Sequence, residues 1–109
     1  MIKNSIALNP EDPFEKLLIT ICELNRRKRA DYASDDNIYL NFDRVEDMTG
    51  YAALQVIETM IGIKTARIRN LEELGTPPKN ESLLDSRLDR ATYCILDYGY
   101  ARTIAEGEL

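Results

Sequence analysis

The segment from Gly50 to Leu74 constrains the fold most, because it holds a helical period without a break. Leu54, Ile57, Met60, Ile61, Ile68 and Leu71 recur at spacings that place them on one stripe of an α-helix. Ala53, Val56 and Ile63 widen the stripe, so this helix is expected at the centre of the fold. It is expected to start at Thr49 or Gly50 and to stop at Leu74, where Gly75 suits a C′ position and Thr76-Pro77-Pro78 prevents continuation. Lys64 lies inside the apolar stripe, and its neighbours one turn away, Met60, Ile61, Arg67 and Ile68, include no acid. Its ammonium either snorkels to water or meets an acidic group or an anion from elsewhere. In the second case Lys64 with Arg67 would make a small two-cation site.

The rest of the chain supplies partners for that helix. Asp12 can cap, Pro13 suits a first helical position and Glu15 completes a capping box, so a helix is expected from Pro13 to Arg29. Phe14, Leu17, Leu18 and Ile21 form its apolar face, and Arg26 to Arg29 make its end cationic, as the helix dipole favours. Between Ala30 and Thr49 the period breaks up, and one short helical turn is expected around Leu40 to Glu46, anchored by Tyr32, Ile38, Tyr39 and Phe42. A last helix is expected after Asn80, reaching as far as Ile104, with Leu84, Leu88, Ala91, Ile95 and Tyr98 as its core stripe and Cys94 beside it. These elements predict an all-α bundle of three main helices plus a short helical segment. A single domain over residues 1–109 is expected, with a loose arm at 1–11 and a frayed tail at 105–109.

Charge and residue usage narrow the function. A net charge of −5 and a pI near 4.7 argue against wrapping an extended nucleic acid through phosphate contacts. A local basic site for a small anion remains compatible with that surface. The chain has no histidine, so proton transfer would fall to carboxylates, Lys, Arg or Tyr. Cys22 and Cys94 each stand among apolar residues and are expected to be buried free thiols, which fits a reducing compartment. No apolar stretch is long enough for a membrane span, and the expected location is the cytoplasm.

One charge pattern needs an answer from outside its own helix. In ESLLDSRLDRATYCILD, Glu81, Asp85 and Asp89 follow one another at i, i+4 steps and share a stripe. None has a basic residue three or four positions away. Each like-charged pair costs a helix about 0.2–0.5 kcal/mol unless a cation compensates. A metal ion or basic groups of another helix would provide one.

Taken together, RADYASDDNIYLNF, IKTARI and ESLLDSRLDRATYCIL resemble the phage-encoded MazG-like, or nucleotide-modification-associated, proteins, relatives of the all-α nucleotide pyrophosphatases. The matching residues are Arg29, Asp31, Tyr32, Asn41, Phe42, Lys64, Arg67, Asp85, Asp89 and Tyr93, spread over about two thirds of the chain. The resemblance implies an all-α core assembling as a homodimer or a larger homo-oligomer. It also implies a nucleoside triphosphate substrate and Mg²⁺ held by carboxylates, supporting pyrophosphohydrolase chemistry. On that pattern Asp85 and Asp89, with Glu81 or Glu58, would be the metal ligands and catalytic carboxylates. Lys64 and Arg67 would meet phosphate, and Asp31 and Tyr32 would line the pocket rim. The sequence departs from the pattern in two places: Ala33 stands where the family's Asp-Tyr-Gly motif has glycine, and the central helix offers Glu58 in place of an acidic pair one turn apart.

The alternative is a non-enzymatic, acidic helical interaction protein, such as a phage inhibitor of a host factor. Its aspartate stripe would then pair structurally with Lys64, Arg67 or the Arg26 to Arg29 cluster.

Overall fold

A computed structural model describes residues 6–29, 37–75 and 82–107. These residues are all-α, with helices α1 (Pro13–Arg29), α2 (Leu40–Thr49), α3 (Ala53–Leu74) and α4 (Leu83–Ala105). The chain divides into two compact units: Met1–Ala33, which carries α1, and Ser34–Leu109, which carries the other three helices. No helix is long and apolar enough to cross a membrane among the described residues.

In the first unit α1 has the expected bounds and the expected cap. Asp12 Oδ2 accepts a hydrogen bond from Glu15 N at 2.9 Å, and Pro13 takes the first helical position, where a missing N–H leaves nothing unsatisfied. Glu15 does not close the box on Asp12. Its carboxylate accepts from Asn9 N at 3.0 Å, while Asp12 N donates to the Asn9 carbonyl at 3.1 Å. Cys22 on this helix is exposed, against the expectation of a buried thiol.

The second unit corrects the expected single turn near Leu40: α2 is a full helix of 10 residues. Gly50 ends it at φ 81°, a left-handed conformation that glycine adopts without a Cβ clash, and donates its N–H to the Glu46 carbonyl at 2.8 Å. Because α2 uses Thr49 and Gly50 for its own ending, α3 starts only at Ala53. Two side chains then satisfy amides that a helix start leaves open. Glu46 Oε1 accepts from Ala53 N at 2.7 Å, and Gln55 Oε1 accepts from Ala52 N at 3.1 Å. The far end of α3 is where the sequence places it, with Gly75 at φ 67°.

Helix α4 starts at a capping box. Ser82 Oγ accepts from Asp85 N at 2.9 Å, and Asp85 Oδ2 accepts from Ser82 N at 3.3 Å. Asn80, after which this helix is expected, lies outside the described residues. The helix passes through Gly99 and continues to Ala105.

Helices α3 and α4 run antiparallel, as their contacts show in order. Ala53 and Ile57 pack with Tyr100, Lys64 meets Asp89, and Glu72 meets Arg87 at 3.0 Å. Ala53, Ile57 and Tyr100 form the buried cluster, with Tyr39, Phe42, Leu54, Ile61 and Leu96 packed on it. Helix α2 joins through aromatic edges: Tyr39 meets Tyr100 edge-on at 5.0 Å between ring centres, and Phe42 meets Tyr93 at 6.2 Å.

The face that α4 turns inward is the main correction to the sequence reading. Leu84, Ile95 and Tyr98, expected in the core, are 76%, 52% and 68% exposed, and Cys94 is exposed as well. The inward residues are Ser86, Asp89, Tyr93, Leu96 and Tyr100. Both sets recur at alternating spacings of three and four, nearly opposite one another on the same helix. The more apolar set lost because the inward set matches what faces it. Asp89 answers Lys64, and the Tyr100 hydroxyl donates to Asp43 Oδ1 at 3.1 Å.

Candidate functional site between two helices

Two of the three segments that carry the sequence resemblance, those on α3 and α4, meet along the α3–α4 seam. Lys64 projects from the middle of α3 and Asp89 from the second turn of α4, with Lys64 Nζ 3.1 Å from Asp89 Oδ2. Their side chains are 17% and 19% exposed, so the pair is mostly withdrawn from water yet still reachable. Arg67 lies one turn beyond Lys64 on α3 and is half-buried. Ser86, one turn before Asp89, is completely buried and closes the seam on that side. Tyr93, one turn after Asp89, packs against Phe42 of α2.

The local reasons are plain. Lys64 stands in an apolar stripe without an acid on its own helix, and a buried charge must be paired. Antiparallel packing brings Asp89 to it. The sequence offers this pairing among its alternatives, the aspartate stripe with Lys64, Arg67 or the Arg26 to Arg29 cluster, and the structure selects Lys64 for Asp89. Sequence reasoning missed Ser86, and the signal was the 86-89-93-96-100 spacing, hidden by the more apolar stripe on the opposite face.

Other candidates are not gathered there. Asp85 serves the capping box at the start of α4. Glu58 lies on an exposed face of α3, six positions and about 240° around the helix from Lys64. Glu81, Asp31 and Tyr32 lie outside the described residues. A groove of about 390 Å³ between α2 and α3, lined by Val45, Tyr51, Gln55, Val56, Thr59 and Met60, contains none of the expected site residues.

The family pattern implies magnesium, and the donors can be tested for fit. Among the described residues no three Asp, Glu, Cys or His side chains are grouped to hold a metal ion. Asp89 already faces an ammonium, and Asp85 a backbone amide. Among the described residues Asp85 and Asp89 therefore form no carboxylate group for magnesium, and Glu81, the third expected ligand, lies outside them. What the seam offers instead is positive charge, Lys64 with Arg67, beside one carboxylate.

A second polar cluster sits at the other end of the seam. Burial pushes the Tyr100 hydroxyl above its ordinary value, and its bond to Asp43 and the nearby charges of Asp43 and Glu46 push the same way. Burial also raises Tyr39, against the opposing pull of Arg102. Both hydroxyls stay neutral near pH 7. Tyr100 acts there as a donor that ties α4 to α2, a structural role.

Compared with protein-family models, curated proteins and solved structures, the chain finds no match.

Proposed function

We propose that this chain is a MazG-like, phage-type helical protein that binds a nucleotide through its phosphates at Lys64 and Arg67, acting in the cytoplasm as a homo-oligomer. The observation that supports the reading is the placement of Lys64 and half-buried Arg67 one turn apart on α3, at a seam with α4 where the Lys64 side chain remains 17% exposed. Both belong to one segment that carries the resemblance, and the seam brings that segment against a second one at Asp89. Lysine is a common phosphate partner, and an arginine one turn away adds a planar donor for a second oxygen. Hydrolysis to a monophosphate and pyrophosphate is the activity the resemblance suggests, and the residues in the seam supply the binding half of it.

The test uses a panel of ordinary and modified nucleoside triphosphates, with thermal stabilisation and Mg²⁺-dependent pyrophosphate release as readouts. Binding should raise the melting temperature of the wild type and fail to do so in Lys64→Gln and Arg67→Gln. A chain that is neither stabilised nor active with any nucleotide sinks the proposal.

One observation favours the second reading, a non-enzymatic helical interaction protein. Both described aspartates of the stripe already have structural partners, Asp85 in a cap and Asp89 in an ion pair. On that reading Lys64→Gln lowers stability with no nucleotide effect to lose.

A further inference from the structure

The spacing of the outward stripe of α4 is the same read in either direction. Leu84, Leu88, Ala91, Ile95, Tyr98 and Arg102 follow one another at steps of four, three, four, three and four, the period by which paired helices interlock. Leu84, Ile95, Tyr98 and Arg102 are exposed and Leu88 and Ala91 half-buried, so the face is left largely open. Its two ends differ in charge: Asp85 lies beside Leu84 at the start and Arg102 closes the far end, both exposed. Asp85 gives one carboxylate oxygen, Oδ2, to its cap. Arg102 meets Glu106 at 3.5 Å, an exposed pair of the kind that contributes little and can be shared.

We infer that this face packs against the same face of a second copy, the two α4 helices running antiparallel about a two-fold axis that passes midway between Ala91 and Ile95. This is the interface of the homo-oligomer proposed above; it rests on that part of the reading and is independent of nucleotide binding. About this axis each residue meets a counterpart of its own stripe, as an isologous contact requires. Ala91 faces the partner's Ile95, small against large, Leu88 faces the partner's Tyr98, and Leu84 faces the apolar stem of the partner's Arg102. The Arg102 guanidinium then reaches the partner's Asp85, once at each end of the pair. Charge chooses the direction: a parallel copy would set Asp85 against Asp85 and Arg102 against Arg102, whereas the antiparallel copy joins opposite charges at both ends. The symmetry also brings Cys94, exposed beside Ile95 and next to the midpoint, close to the partner's Cys94.

The experiment measures self-association of the full chain by sedimentation equilibrium. Wild type should dimerise at micromolar concentration. Asp85→Lys and Arg102→Glu should each weaken the dimer at least about tenfold, since like charges then meet at both ends of the interface. The double variant Asp85→Lys/Arg102→Glu, which restores opposite charges with the sides exchanged, should recover most of that loss. In Cys22→Ser protein a short bismaleimide should join Cys94 to Cys94 within the dimer. A monomeric wild type overturns the inference together with the homo-oligomeric part of the functional reading. A dimer that the single reversals leave intact, that the double variant does not recover, or that yields no Cys94 cross-link overturns this interface and leaves the homo-oligomer standing. Circular dichroism checks each fold, and Leu84→Lys replaces Asp85→Lys should loss of the cap prevent folding, because position 84 faces Arg102 in the same layer.

Discussion

Asp85 and Asp89 are one turn apart and chemically identical, yet their surroundings give them different work. Asp85 closes a capping box at an exposed helix start, so Asp85→Asn should cost no more than about 1 kcal/mol. Asp89 neutralises a lysine in a seam where both side chains are less than one fifth exposed. Removing its charge leaves an ammonium without that compensation, and Asp89→Asn should cost about 3 kcal/mol, the low end for a buried pair because some solvent remains. Urea titration of the two variants measures the contrast. Equal losses would show that the 3.1 Å contact contributes no more than a surface ion pair.

At the scale of elements, the docking of α2 onto α4 depends on a missing side chain. A Cβ added to Gly99 would lie 2.5 Å from the Tyr39 hydroxyl, so that ring would have to move from its edge contact with Tyr100. Helix propensity alone favours alanine over glycine by about 1 kcal/mol. The clash should outweigh it, making Gly99→Ala destabilising by about 1–2 kcal/mol once overpacking is set against propensity. Gly62 provides the control within α3. Nothing lies within 4 Å of the position its Cβ would take, so Gly62→Ala should stabilise by up to about 1 kcal/mol. Thermal melts that moved in the same direction for both variants would remove the steric argument.

For the molecule as a whole, the outward stripe of α4 is the feature that its own three-helix unit does not use. Leu84, Ile95 and Tyr98 are each more than half exposed, an arrangement that favours association. The expected outcome is a mass above that of the 12.5 kDa chain at micromolar concentration, reduced by Tyr98→Glu with helicity unchanged. Light scattering after size exclusion reads both, and a monomeric wild type defeats the expectation. The sequence by itself determined that the protein is helical and where several helices end. Pro13, Gly75 and the unbroken apolar period of α3 are local signals, and local backbone chemistry is enough to read them. It also singled out Lys64 as a charge in need of a partner. Only the tertiary structure decided which side of α4 faces α3, since the helix carries two opposed stripes of similar spacing and hydrophobicity alone prefers the one left outside. The choice rests on contacts between residues far apart in the chain, Lys64 with Asp89 and Tyr100 with Asp43, whose satisfaction no window along the sequence can register.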